Sequence, residues 1–406
     1  MKLLNQKQPA IEKPATKTAQ DLLLTSKPLI ASIKKFKICH INESCHIGGV
    51  FGTLNELIQI SNLLDIQTDW FQISGGKQYV HLTGKIHHSL QGKTQNISET
   101  EWKLFFNNSL LPKTFGTYDF VIIHDHQPFS LAKQIKQLYP DTKVIWHCHL
   151  DTSTPKTSVI ERMTPLFSYY DLAIYSSSEF SSVSSLPSVV IPPGISQYSL
   201  KNKPISQREI RKVLSEHNLS ATTPLILQVS RIDPWKRPIQ VLEVYKKIQK
   251  QIQDLQLVFL AELDENDVEA KAILSKMLPD INRLPNVKLL TNVKKNDITV
   301  NALQRHATII VQYSKREGFG QTVAEAMIKN KIVIGGGAIG IKNQIQDGFN
   351  GYLANNEREL FSKTLHVLNN TNKLNSIKLN AKASVISRFT LDRLLRDYLI
   401  LFQNLS

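Results

Sequence analysis

From Lys35 onward, short apolar runs alternate with stretches patterned for helices. The runs Lys37–Ile41, Trp70–Ile73, Phe120–His124, Lys143–His147, Leu172–Tyr175 and Val189–Ile191 predict strands. Between the first two, Leu54, Leu57, Ile58 and Leu64 recur at helical spacing. A second series follows at Leu225–Val229, Gln256–Leu260, Val287–Leu290, Thr308–Gln312 and Lys331–Ile334, again with helical patterns between its members. Nearly continuous apolar strands separated by helices imply parallel sheets covered on both faces. The expectation is therefore an α/β chain with two Rossmann-like domains facing a central cleft. The turn Pro192-Pro193-Gly194 and the polar stretch near 199–204 mark the joint, which gives domains over 35–199 and 200–385. Residues 386–406 predict a C-terminal helix, roughly Leu391–Asn404, packing back on the first domain. Residues 1–34 contain Lys, Gln, Thr and Pro with little periodicity and read as a mostly disordered tail, apart from a short docking helix over 21–31.

Bulk properties narrow the class. At 406 residues the chain exceeds one ordinary core, as two domains require, and 41% apolar with 20% charged residues is the composition of a soluble globular protein. No run approaches the roughly 18 uninterrupted apolar residues of a membrane span, and the N-terminus lacks the pattern of a signal peptide. The three cysteines, Cys39, Cys45 and Cys148, form neither a disulfide framework nor a zinc set, which points to a reducing cytoplasm. A net charge of +15 and a pI near 9.5 fit nucleic acid, an anionic membrane surface or phosphorylated substrates. The lysines are scattered, without aromatic interleaving or zinc-finger spacing, so nucleic acid is the weakest of the three. Weak association with a membrane surface and a homodimer both stay open.

The chemistry concentrates at strand ends. Leu225–Val229 ends at Ser230-Arg231, where open α/β sheets bind ligands, and Lys236 follows past the stiff turn Asp233-Pro234-Trp235. A planar guanidinium and a point charge together suit a diphosphate. After Thr308–Gln312 comes Glu317-Gly318-Phe319-Gly320, opening a helix that carries Glu325 in its first turn. The glycines uncover backbone N–H groups for an anion. Glu325 suits vicinal ribose hydroxyls, and Glu317 suits the hydroxyls of a sugar. Gly48-Gly49 opens the first long helix and lets backbone approach a phosphate; Gly335-Gly336-Gly337 serves this or close helix packing equally well. Two other strand ends, His124-Asp125-His126-Gln127-Pro128 and His147-Cys148-His149-Leu150-Asp151, aim Asp125, His149 and Asp151 at the cleft. His147 and His149 share a strand face but lack a clear third ligand, and there is no Asp-x-Asp, so no metal is expected.

These motifs together resemble the retaining glycosyltransferases of family 4, with the GT-B fold. Within it they resemble the trehalose-forming subgroup, which comprises glycosyltransferring synthases and retaining phosphorylases. The resemblance rests on His124–Pro128, Cys148–Asp151, Gln228–Lys236, Arg316–Gly320, Gly337–Ile341 and Leu90-Gln91-Gly92 with His87-His88, and runs from about Cys39 to the C-terminus. It implies that Arg231 and Lys236 stabilise the leaving phosphate, that Glu325 holds a donor ribose, and that Glu317 holds donor-sugar hydroxyls. Gly49, Gly318, Phe319 and Gly320 would complete the donor side. His149 would contact the transferred glucose, Asp125 would orient the acceptor or His149, and Asp151 would lie at the acceptor. Retention implies front-face attack through an oxocarbenium-like state, with the leaving phosphate taking the acceptor proton. No cofactor is implied, since a nucleotide-sugar or sugar phosphate enters as co-substrate with a sugar acceptor. Arg237 departs from the subgroup, which carries glycine there. The other readings are phosphorolysis with inorganic phosphate, hexosyl transfer to a lipid-linked or surface polysaccharide, a sugar-nucleotide epimerase, and a non-catalytic binding module.

Overall fold

The computed structural model describes residues 2–5, 13–43, 49–107, 111–263, 267–294 and 296–406. The chain divides into two units, Met1–Tyr198 with Thr390–Ser406, and Ser199–Phe389.

The first unit holds seven strands: β1 (Lys2–Asn5), β2 (Lys37–Glu43), β3 (Gln67–Ser74), β4 (Phe120–His124), β5 (Lys143–Cys148), β6 (Leu172–Tyr175) and β7 (Ser188–Val190). Their spatial order is β1-β3-β2-β4-β5-β6-β7, with β1 antiparallel to β3 and every other pairing parallel. The second unit is an all-parallel sheet ordered β10-β9-β8-β11-β12-β13. Its strands are β8 (Leu225–Val229), β9 (Gln256–Ala261), β10 (Val287–Thr291), β11 (Ile309–Gln312), β12 (Ile332–Gly335) and β13 (Tyr352–Leu353). Both units are Rossmann-like, as the sequence pattern requires. In each sheet the chain winds one way and then reverses, between β2 and β4 in the first and between β8 and β11 in the second. Ligands of such sheets bind outside the carboxyl ends of strands at that reversal. Asp125 follows β4, Arg231 follows β8, and Glu317 follows β11.

The disordered tail expected over residues 1–34 is overturned where the structure describes them, while the docking helix expected over 21–31 falls within a longer one. Lys13–Ile33 is a helix, bent at Ser26 (φ −137°, ψ 21°) just before Pro28. Its buried residues Ala15, Thr18, Ala19, Leu22, Ser26, Ile30 and Ile33 form one stripe at helical spacing. Four of those seven are Ala, Ser or Thr, so a search for large apolar residues misses much of the stripe. The buried stripe packs against the helices Leu391–Leu405 and Gly49–Leu63. Leu391–Leu405 belongs to the first unit: the Leu391 N–H donates to Ile195 O at 3.0 Å, and the Arg393 guanidinium donates to the carbonyls of Pro192 (2.6 Å) and Pro193 (3.0 Å). Among the described residues no helix is long and apolar enough to cross a membrane. Cys39 and Cys148 are buried free thiols, while Cys45 lies outside the described residues.

Candidate active site

In the second unit, Asp233 organises the loop after β8. Its Oδ1 accepts the Trp235 N–H at 2.7 Å, and its Oδ2 lies 3.2 Å from Arg231 Nη2. The loop is pinned further by Gln228 Nε2 donating to Lys236 O (2.9 Å) and by the Lys315 N–H donating to Trp235 O (2.8 Å). Arg237 follows in the left-handed region (φ 54°), where a side chain is strained and glycine is favoured. The chain therefore keeps the backbone conformation that suits the glycine of the resembled subgroup, and lays the Arg237 guanidinium 4.3 Å over the Tyr313 ring.

Lys236 and Glu317, reached from different strand ends, form a direct ion pair in which each side chain is 15% exposed. Arg231 is left much freer, 64% exposed and, among the described residues, tied only to Asp233. Gly320 (φ +86°) turns the chain back over Glu317 into the helix Gln321–Met327. Gly340 packs so closely beneath this turn that a Cβ there would sit 2.6 Å from Glu317 O, and its N–H donates to that oxygen at 3.1 Å. The Phe319 side chain is buried, edge to face with Phe389 at 5.4 Å, so its backbone is what it can offer a ligand.

Glu325 lies beyond the first turn expected for it, on the fifth residue of its short helix, and is buried. Its Oε1 is 3.7 Å from Lys201 Nζ, and Glu325 is the main cause of the raised pKa of that lysine, with Asp297 and Glu262 adding to it. Behind them Lys329 is buried and donates to Asn202 Oδ1 (2.7 Å), Gln304 Oε1 (2.7 Å) and Glu325 O (2.8 Å), while burial draws its pKa down to about 7. Lys201 was invisible in the sequence, because the polar stretch around it carries no motif.

In the first unit, Asp125 also adopts a left-handed backbone (φ 59°), held by three bonds to β5 and its exit. Its N–H donates to His147 O (2.9 Å), its carbonyl accepts Trp146 Nε1–H (2.9 Å), and its Oδ1 accepts the His149 N–H (2.8 Å). Asp125 thus positions the His149 backbone rather than its ring. Asp151, expected at the acceptor, is 1% exposed and accepts hydrogen bonds from the Ser153 hydroxyl (2.6 Å) and N–H (3.2 Å), which makes it a brace for its own loop. Gly49 is exposed at the start of its helix; Gly48 lies outside the described residues.

Four histidines line one face of the sheet. His40 pairs in register with Ile122, two residues before His124, which pairs with His147, two residues before His149. The period of two sets all four on the same side. His40 Nδ1 lies 2.9 Å from His124 Nε2, and His124 Nδ1 lies 2.9 Å from His149 Nε2. His147 Nδ1 meets the Tyr398 hydroxyl, and its Nε2 has no hydrogen-bond partner among the described residues. Burial lowers the pKa of all four, that of His40 to about 3, and the neighbouring imidazoles depress His124 and His147 further. The third imidazole that the sequence did not offer beside His147 and His149 is therefore His124, with one ring nitrogen of each within 4.8 Å of the others. The His147 and His149 rings are stacked, 3.9 Å apart and 25° from parallel. A ligand lone pair lies in its ring plane, so two such rings do not converge on one ion.

The chain matches two family models, the trehalose synthase N-terminal domain over residues 40–182 and the group 1 glycosyl transferases over residues 209–384. It is 32% identical to the trehalose synthase of Pyrococcus horikoshii over 92% of this chain and 91% of that protein. It is 25% identical to the trehalose phosphorylase of Pleurotus pulmonarius over 79% of this chain, but spans only 50% of that protein. Among solved structures, an α,α-trehalose-phosphate synthase (UDP-forming) from Burkholderia xenovorans in complex with glucose-6-phosphate superposes with a TM-score of 0.73. That likeness covers 90% of this chain and all of the other, and at 10% identity it is one of fold. The chain belongs to the trehalose synthase family of glycosyltransferases.

Proposed function

We propose that the protein is a retaining glucosyltransferase that moves an α-glucosyl group between a nucleotide-sugar and glucose, making trehalose or running the transfer backwards. The observation that carries this reading is the likeness to a trehalose synthase along nine-tenths of both chains, against half the length of the phosphorylase. In this reading Arg231 and Lys236 hold the leaving phosphate, and electrostatic stabilisation there supplies much of the rate. Glu317 takes the donor-sugar hydroxyls, so a donor brings an anion to the lysine and hydrogen-bond donors to the carboxylate of an existing pair. Gly318 and Gly320 offer the backbone close approach on the same side. His149 contacts the transferred glucose and Asp125 fixes where His149 stands. The reading assigns no cofactor, since the two cations meet the phosphate charge.

A nucleotide is favoured over inorganic phosphate by Glu325. A buried carboxylate near Lys201 suits a ribose, while phosphate alone gives it nothing to bind. Buried free thiols at Cys39 and Cys148 go with a cytoplasmic setting.

The test is glucose release from trehalose by the purified protein, with UDP, ADP, GDP and inorganic phosphate supplied separately. Release with a nucleoside diphosphate is expected and names the base. Release with phosphate alone would make the enzyme a phosphorylase. Silence in every arm would sink trehalose as substrate and turn attention to lipid-linked acceptors, to which the net charge of +15 is suited.

A further inference from the structure

The mechanism above uses His149 but leaves His40 and His124 without a task, although both are buried polar groups whose rings, among the described residues, hydrogen-bond only to other imidazoles. We propose that His40 and His124 are positioning residues. The hydrogen-bonded series His40–His124–His149 fixes which ring nitrogen of His149 carries the proton, and so whether its Nδ1 meets the sugar as donor or as acceptor. The inference rests on the reading that His149 contacts the transferred glucose.

The argument is one of proton counting. A neutral imidazole has one N–H and one bare nitrogen. His124 is bonded through both of its nitrogens, so it donates through one and accepts through the other. The two bonds must therefore run in the same sense. In the outward sense, His40 Nδ1–H donates to His124 Nε2 and His124 Nδ1–H donates to His149 Nε2, leaving His149 with its proton on Nδ1. In the inward sense, His149 Nε2–H donates to His124 Nδ1 and His124 Nε2–H donates to His40 Nδ1, leaving His149 Nδ1 bare.

Passing from one sense to the other moves one proton across each bond and shifts the N–H of each ring to its other nitrogen. Charge is conserved, and the proton that appears or disappears at His149 Nδ1 is matched at His40 Nε2. The Nδ1 of His149 has no hydrogen bond within the described chain, so it is the free end of the series.

His149 cannot turn to escape this coupling. Its backbone N–H is held by Asp125, and its ring is stacked on His147, whose Nδ1 is bonded in turn to Tyr398. The ring is also nearly parallel to that of His124, with 9° between their planes. The charge needed to break the series would have to sit among buried imidazoles, where each positive ring disfavours the next. Fixing a tautomer through a second, buried partner is how ligand and catalytic histidines are generally oriented.

The experiment is nitrogen NMR of the full chain labelled with ¹⁵N-histidine, near neutral pH. His124 and His149 are expected to carry their protons on like nitrogens, both on Nδ1 or both on Nε2, with a ligand free to change the sense of both together. A His124 tautomer opposed to that of His149 overturns the inference. Two variants extend the test. His40→Leu removes the far partner and is expected to shift the His149 tautomer and lower kcat about tenfold, with the donor KM unchanged. His40→Asn places an amide near the lost Nδ1 and is expected to restore both. Turnover and tautomer that ignore the difference between Leu and Asn, in variants with intact folding transitions, would also overturn it. Failure of the glucosyl-transfer reading is separate: trehalose turnover would be absent while the tautomers stayed aligned.

Discussion

The Lys236–Glu317 pair is the residue on which the phosphate assignment turns, because it joins two groups expected to serve different parts of one donor. Lys236→Ala removes a cation and also leaves a largely enclosed carboxylate without its partner. Both effects oppose negative charge building up on a leaving phosphate. Turnover is expected to fall by about 3 kcal/mol, the size of one lost oxyanion donor, with a smaller change in donor KM. Steady-state rates of trehalose cleavage with the active nucleotide check this, and unaltered turnover would place the phosphate elsewhere. Arg231, exposed and paired with Asp233, should matter less to kcat and more to donor KM. Lys236, Glu317 and Glu325 could be singled out in the sequence because each follows a strand or glycine turn. Lys201 could not, since it reaches Glu325 from the polar stretch at the start of the second unit. His40 was equally hidden, because nothing in the run Ile38-Cys39-His40-Ile41 says that a parallel neighbour places His124 two residues ahead on the same face.

At the level of elements, the strands from β2 to β12 were legible while β1 and the first part of the helix Lys13–Ile33 were not, and for the helix the difference is one of side-chain size. Runs such as Phe120–Ile123 and Leu172–Tyr175 are apolar throughout because both faces of a parallel sheet are covered. The two-residue β13 is too short to show such a run. The missed stretch 13–20 packs through the small residues Ala15, Thr18 and Ala19, so its stripe stays under any hydrophobic threshold while its exposed face carries the lysines and glutamine of a tail. Leu22→Ala is expected to cost about 2–3 kcal/mol, within the usual range for emptying a buried leucine site. Leu24→Ala, at a position 85% exposed on the same helix, is expected to stay within about 0.5 kcal/mol. Urea midpoints of the two variants against the parent decide it; equal, small effects would mean that the helix contributes little to the first unit.

For the molecule as a whole, the buried histidines make a statement about pH. His40, His124, His147 and His149 are neutral when folded, with pKa values below the ordinary 6.5. In the unfolded chain each takes up a proton near 6.5. As pH falls below that value the unfolded state binds protons that the native state refuses, so stability is full above about 6.5 and declines towards acid. His40, whose folded pKa is about 3, alone accounts for about 2 kcal/mol of loss at pH 5, because 1.4 kcal/mol is lost per pH unit below 6.5. The other three steepen the slope. Tryptophan fluorescence resolves the unit concerned: Trp70, Trp102 and Trp146 lie in the first unit and Trp235 in the second. The urea midpoint of the first unit is expected to fall between pH 7 and pH 5. His40→Leu should flatten that slope by the share of one proton, whatever it does to the midpoint at pH 7 through packing. A midpoint that stays level over this range would mean that the histidine face admits protons without unfolding, and the neutral series built on it would fall with it.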